Sequence, residues 1–351
     1  MEYEAHSTAS CAWACIAWER IVLQYKKICL LLCLFITVLC LVGCGAEKQK
    51  EQSGGIEVKD YQGTTVKIPK KPERILTLSI YSDEMVLGMV PSSKLVAISK
   101  FLDDPKESVV VEKAKRVPEK VMDPSVEQIM GWKPDIIIAN TWTNMEKVTA
   151  LRELGFPVVV IGPGNSYADI QGDIRLIAQS ISEEEKGQQI IAKMDEIRDD
   201  IVKKVEKIPP EKRKSVTLLS VMRQYGGAGS AFDDMCRLTG VRNAIAEVGV
   251  KNGQVLTKEL LVKSNPDYIL LPSYDDKGTF DIDAFIASYL EDPSLASMRA
   301  IQNRALIFPR ESYIYNSSQD FVFGMQELAY VVYGEEFAQE PNRHISFSGE
   351  K

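Results

Sequence analysis

One stretch restricts what this chain can become. From Glu183 to Ile208 runs a single helical pattern, with apolar residues at Ile190, Ile191, Met194, Ile197, Ile201, Val202, Val205 and Ile208. The spacings are mostly three or four, so these side chains share one stripe of a 3.6-residue helix. No Pro or Gly interrupts the pattern after Gly187, and Pro209-Pro210 ends it. Such a helix is roughly 35 Å long, about the width of a small domain. Its place midway through the chain that follows residue 43 predicts a strut between two lobes.

The flanking segments repeat each other. Ser125-Val-Glu127-Gln-Ile-Met-Gly-Trp-Lys-Pro134-Asp135-Ile-Ile-Ile138 aligns with Thr257-Lys-Glu259-Leu-Leu-Val-Lys-Ser-Asn-Pro266-Asp267-Tyr-Ile-Leu270. Hydroxyl residue, Glu, Pro-Asp and apolar strand keep the same offsets. Phe156–Ile161 pairs in type with Ala305–Phe308, and Arg74–Ser79 with Ser215–Ser220. Between these marks, Ile56–Ile68 alternates about Gln62-Gly63 as a β-hairpin. Ile136–Ala139 and Val158–Ile161 are wholly apolar strands. Ser82-Asp83-Glu84 opens a helix, and Val126–Trp132 and Met145–Leu154 are helical, the last stopped by Gly155. Apolar strands alternating with helices predict a largely parallel sheet covered on both faces. Two such lobes leave a cleft beyond the carboxyl ends of their strands, where ligands usually bind.

Composition excludes several chemistries. A net charge of −7 and a pI near 5.2 oppose non-specific nucleic-acid binding, which needs a basic surface. The two histidines, His6 and His344, lie near opposite ends, so no His-ligated metal site or His-based triad can form in the body. Six of the seven cysteines fall in the first 44 residues, leaving Cys236 alone beyond them and no disulfide possible within the body. Gly226-Gly-Ala-Gly229 lacks both the third Gly of a dinucleotide fingerprint and a Gly-Lys-Ser/Thr ending, and reads as the turn before a helix over 231–239.

The N-terminus reads as a targeting signal. Lys26-Lys27 precede an uncharged run from Ile28 to Val42, in the range of a signal-peptide core and short of the roughly 20 residues that span a bilayer. It ends Leu41-Val42-Gly43-Cys44, which resembles the bacterial lipobox, with Cys44 as the lipidated residue. The polar stretch that follows suits a flexible tether. Twenty-five residues before Lys26 are long for such a signal, and translation is expected to begin near Leu23. The expected division is residues 1–43 signal peptide, 44–55 lipidated tether, 56–181 N-terminal α/β lobe, 182–210 linking helix, 211–338 C-terminal α/β lobe and 339–351 tail.

The order Pro72-Glu-Arg74, Ser125-x-Glu127, Pro134-Asp135, Gly229-Ser-Ala-Phe232-Asp-Asp-Met-Cys-Arg-Leu-Thr-Gly240-Val-Arg-Asn243, Thr257-x-Glu259 and Pro266-Asp267 resembles the solute-binding proteins of iron-siderophore and vitamin B12 ABC importers. The likeness covers nearly all of residues 56–338. It implies an α/β fold of two Rossmann-like lobes joined by one long helix, the class III periplasmic-binding-protein fold. It also implies capture and delivery of a small-molecule ligand to a permease dimer with its ATPase subunits, without catalysis, cofactor or directly bound metal. A monomer held by its lipid on the outer face of the cell membrane is expected.

Candidate site residues follow. Glu127 and Glu259 each stand two positions after a hydroxyl residue at a predicted helix start, where the dipole favours a carboxylate. The resemblance adds salt bridges from these two positions to permease arginines, and the two readings are compatible. Ligand contacts are expected at strand ends facing the cleft. These are Tyr81, Phe101 and Trp142 in the first lobe, and Arg223, Tyr225, Tyr274, Arg310, Tyr313 and Tyr315 in the second. Aromatic faces suit a large flat or chelated ligand, and arginines complement anionic oxygens. A ferric-siderophore-type chelate, cobalamin and haem stay open as ligands. A lipid-anchored two-lobed enzyme is the reading from another class, opposed by the absence of body histidines and of a phosphate loop.

Overall fold

The structure, a computed structural model, describes residues 55–220, 224–272 and 281–350. Cys44, Arg223, Tyr274, the expected signal peptide and the expected tether up to residue 54 lie outside the described residues.

Two parallel sheets organise the body. The first has the order β5-β4-β3-β6-β7, with β3 Ile75–Thr77, β4 Leu95–Ser99, β5 Lys120–Val121, β6 Ile136–Asn140 and β7 Val158–Ile161. The second has the order β11-β10-β8-β9, with β8 Ser215–Leu218, β9 Arg242–Asn243, β10 Tyr268–Leu270 and β11 Leu306–Ile307. Every pairing in both sheets is parallel. All residues of β6 and β7 are buried, as strands covered on both faces must be. An antiparallel hairpin of β1 (Ile56–Lys59) and β2 (Thr65–Ile68) precedes them, and its Tyr61 amide donates to the Val160 carbonyl at 2.9 Å.

The helices in chain order are α1 Ile80–Met89, α2 Val111–Ala114, α3 Val126–Trp132, α4 Met145–Glu153, α5 Tyr167–Ser180 and α6 Glu184–Val205. In the second lobe follow α7 Ala231–Leu238, α8 Ala244–Glu247, α9 Lys258–Ser264, α10 Ile282–Leu290, α11 Arg299–Gln302, α12 Glu311–Ile314 and α13 Phe321–Tyr333. The link is α6, whose 22 residues give about 33 Å of rise. Its stripe Ile190, Ile191, Met194, Ile197, Ile201 and Val205 is buried. The regular helix stops at Val205, short of Ile208, because tighter turns close Lys207 and Ile208 onto Lys204 and Val205 before the prolines.

The first helix begins earlier than the Ser82-Asp83-Glu84 signal predicts. Ser79, extended at the end of β3, is the N-cap, and its side chain accepts from the Ser82 amide at 3.2 Å. Asp83 and Glu84 therefore lie inside the helix, both fully buried.

Candidate ligand-binding site

In each lobe the strand that starts the sheet pattern sits beside a strand formed later, β3 beside β6 and β8 beside β10. The connections leaving such a pair diverge to opposite faces, opening a crevice at the carboxyl ends. Tyr81 follows β3, and Trp142 follows β6. Their rings meet edge to face at a centroid distance of 6.2 Å, with Trp142 53% exposed. Tyr225 follows β8, and Tyr315 follows β11 and α12. Their rings lie 5.5 Å apart at a 42° tilt. The Tyr81 hydroxyl donates to the Tyr315 carbonyl at 2.9 Å, across 234 residues of sequence. The two crevices thus share one line of aromatics: Trp142, Tyr81, Tyr315, Tyr225.

The phenols of this line stay neutral. Burial pushes the Tyr81 hydroxyl up, helped by the Glu84 and Glu107 carboxyls. Burial does the same for Tyr225, with Tyr81 and Tyr315 adding to it, and for Tyr315. A wall of this kind offers π faces rather than charge; the Tyr81 O–H is given to the Tyr315 carbonyl, and the Tyr225 and Tyr315 hydroxyls are buried.

The other predicted contacts are placed differently. Phe101 follows β4 and is half-buried, with the Lys100 ammonium 5.5 Å from its ring centre. Among the described residues no ring contact joins it to the aromatic line. Tyr313, expected at the cleft, is instead a core residue, 1% exposed. Its hydroxyl accepts from the Arg343 amide at 2.6 Å and its ring packs on Phe323. Two positions on, Tyr315 reaches the opposite side of the same turn. Arg310 donates through Nε and Nη2 to Glu327 Oε2 at 2.8 and 2.5 Å, and its amide donates to Oε1 at 3.0 Å. The carboxylate such an arginine demands is supplied from α13, and this partner was not legible in the sequence.

Glu127 and Glu259 occupy matching sites. Each is exposed in the first turn of a seven-residue helix, α3 and α9. The Ser125 and Thr257 side chains accept from Gln128 N–H and Leu260 N–H at 3.3 Å in both lobes. The same hydroxyls, then the glutamates' own amides, hold the Glu127 and Glu259 carboxyls below the ordinary range, so both are anionic at neutral pH.

The Gly-rich turn carries no free phosphate cradle. Gly229, at φ +82°, donates its amide to Asp233 Oδ2 at 3.0 Å, so the helix that follows fills its own N-terminus with a carboxylate. Sequence reasoning also missed a buried polar layer between the lobes. Asn316 Nδ2 donates to Glu84 Oε2 at 2.9 Å, and Gln319 Nε2 donates to the Glu84 carbonyl at 2.8 Å. Burial pushes the Asp83 carboxyl up to about 8 despite bonds from Thr77 and Ser99. Burial first and Asp320 second raise Glu84 as well. The available signal was an acidic pair set inside an otherwise apolar helix.

Residues 75–313 match the model of a family described as periplasmic binding protein. An uncharacterized ABC transporter substrate-binding lipoprotein, YvrC, of Bacillus subtilis (strain 168) is 24% identical over 323 residues, 87% of this chain and 97% of that protein. The iron-uptake system-binding protein of the same organism is 24% identical over 314 residues, 84% and 92% of the two chains. Among solved structures, the periplasmic heme-binding protein RhuT from Roseiflexus sp. RS-1 in apo form matches with a TM-score of 0.62. That match has 21% identity and covers 76% of this chain and 99% of that one, which speaks to fold alone.

Proposed function

The chain belongs to the periplasmic binding protein family, and from that premise we propose that it is the extracytoplasmic solute-binding component of an ABC importer, taking a ferric-siderophore-type chelate. Its role is capture and delivery, without catalysis. The reading rests on the aromatic line from Trp142 through Tyr81 and Tyr315 to Tyr225, which spans the carboxyl ends of both sheets. Neutral phenols and π faces suit a large chelate whose own ligand atoms already satisfy its metal. The contacts proposed for Phe101, Arg223 and Tyr274 rest on their places in the sequence after β4, β8 and β10. The importer role is supported by relatives, one of them named for iron uptake and another as an ABC transporter substrate-binding lipoprotein.

Delivery needs a partner. Glu127 and Glu259, one anionic group per lobe at equivalent helix starts, suit a two-fold permease dimer carrying basic residues. The lipid on Cys44 holds this monomeric receptor near that permease and raises its effective concentration there.

Tryptophan-fluorescence titration of the full chain against ferric hydroxamate and catecholate siderophores, haem and cobalamin tests the reading. A saturable change is expected with a ferric siderophore, lost in Trp142→Phe and weakened at least about tenfold in Tyr225→Ala. Glu127→Lys and Glu259→Lys should leave that titration unchanged while impairing uptake. A response to haem or cobalamin alone would replace the ligand class, and silence toward all of them would overturn the proposal.

A further inference from the structure

The chain passes between the lobes more than once. After α13 it leaves the second lobe and returns to the first, over residues 343–350. At its root the Ile345 amide donates to Asp320 Oδ1 at 2.9 Å, and His344 Nδ1 meets Asp320 Oδ2 at 2.7 Å. Midway, Ile345 is 5% exposed and packs into the main core. Its carbonyl shares the Gln319 amide group with the Glu84 carbonyl, at 3.2 and 2.8 Å. One step on, the Phe347 amide donates to the Gly88 carbonyl at 2.7 Å. At Gly88 a Cβ would stand 2.5 Å from Gln319 Nε2 and 3.1 Å from the Ile345 carbonyl, so a larger residue there would displace the Gln319 amide from the two carbonyls it bonds.

The far end is held by charge. Glu350 Oε2 accepts from the Ser92 amide at 2.9 Å and from its hydroxyl at 2.6 Å, and Arg116 lies 3.7 Å from Oε1. Lys113, 9% exposed, donates to the Leu87 carbonyl and the Ser348 hydroxyl, both at 3.1 Å, and to the Ser346 hydroxyl. A buried ammonium needs such partners, and here the returning segment supplies two of the three.

We propose that residues 343–350 form a strap between the lobes, rooted at Asp320 and latched at Ser92 by Glu350, that limits how far the lobes part. A loose terminal segment would leave its polar groups to water. This one binds the first lobe at the end of α1, at the turn after it and at α2. It thereby closes a second link beside α6, and opening the lobes requires Gln319, Ile345 and Phe347 to leave α1 together.

Hydrogen exchange on the full chain, read by mass spectrometry, tests this without reference to any ligand. In Glu350→Gln, exchange at residues 85–92 and 316–320 should quicken about tenfold, while β6 keeps its protection. Phe347→Pro, which removes the amide bonded to Gly88, should give the same pattern and guards against a fault peculiar to residue 350. Faster exchange confined to 346–350 would make the segment a passive tail. A uniform rise that includes β6 would mean general destabilisation. Either result overturns the strap, and neither bears on which ligand the cleft takes.

Discussion

The two Pro-Asp joints are built alike and braced differently. In each, a short helix ends on a left-handed residue, Lys133 (φ 49°) or Asn265 (φ 38°), followed by Pro-Asp and a strand. Asp135 Oδ2 accepts from the Glu73 and Arg74 amides at 2.9 and 3.0 Å, and Asp267 Oδ2 accepts from the Ser215 amide at 2.8 Å and its hydroxyl at 2.9 Å. The backbone reciprocates, Asp135 N–H to the Arg74 carbonyl and Asp267 N–H to the Ser215 carbonyl. The brace across the helix end is an arginine from upstream in one lobe, Arg74 onto the Trp132 and Lys133 carbonyls. In the other it comes from downstream, Arg299 onto the Asn265 carbonyl and the Asp267 carboxylate. Satisfying strand amides needs a short carboxylate at one fixed position. Covering helix carbonyls needs only a long cation, whose source in the sequence is free.

The carboxylates are the place to break this comparison hardest. Ser215 is 1% exposed, so Asp267→Ala leaves a buried N–H unsatisfied and unpairs Arg299. A loss of about 2–3 kcal/mol is expected. Glu73 and Arg74 are exposed, so water replaces much of what Asp135→Ala removes, and about 1–2 kcal/mol is expected there. Urea unfolding of both variants checks the order, and equal or inverted losses would show that burial does not separate the joints. Acid provides a second handle. Burial raises both carboxyls, but the amides of Glu73 and Arg74 with Lys70, and the Ser215 amide and hydroxyl with Arg299, outweigh it and hold both below the ordinary range. A depressed folded value means stability present above the unfolded pKa near 4 and lost as pH falls through the folded one. Asp135→Asn and Asp267→Asn should therefore lose less stability than the parent protein below about pH 4.

These joints also mark how far the sequence carries. The Ser-x-Glu and Pro-Asp repeat, the wholly apolar β6 and β7 and the stripe on α6 were legible because each is set by neighbours a few residues away. The first helix starts ahead of its Ser82-Asp83-Glu84 signal, since Ser79 carries the same hydroxyl as Ser82 and the end of β3 makes Ser79 the cap. Tyr313 and Tyr315 look interchangeable in sequence, yet the turn sends one into the core and the other to Tyr225. Glu84 with Asn316, Arg310 with Glu327 and Gly88 with Phe347 were not legible at all. Two of these pairs stand more than 230 residues apart in the chain, and none follows a periodicity.

The left-handed residues should separate the joints by sign. At Lys133 a lysine side chain sits in a backbone region that disfavours it, and its exposed side chain has no polar contact among the described hydrogen bonds and ion pairs. Lys133→Gly is expected to stabilise by about 0.5–1 kcal/mol. Asn tolerates that region better, and Asn265 Oδ1 accepts the Arg299 amide at 2.8 Å. Asn265→Gly is expected to cost about 0.5–1 kcal/mol. Thermal unfolding of the two variants decides, and a shared sign would mean that backbone strain or the Arg299 bond has been misjudged.

The finest difference lies in the first turns. Ser125 and Gln128 complete a reciprocal box, the Gln128 side chain accepting from the Ser125 amide at 2.9 Å while Ser125 accepts in return. In the second lobe Thr257 caps alone, because the matching position is Leu260, which has nothing to accept with. Gln128→Ala should lower stability by about 0.5 kcal/mol, and Leu260→Gln, at a half-buried position, should raise it by about 0.2 kcal/mol. The docking role proposed for the neighbouring glutamates makes the outcome informative beyond stability. A frayed first turn would let Glu127 wander while Glu259 stays placed. Gln128→Ala should therefore weaken coupling to the permease more than its small stability loss suggests, without changing ligand titration. Equal coupling in parent and variant would show that the rigidity of α3 is irrelevant to how Glu127 is presented.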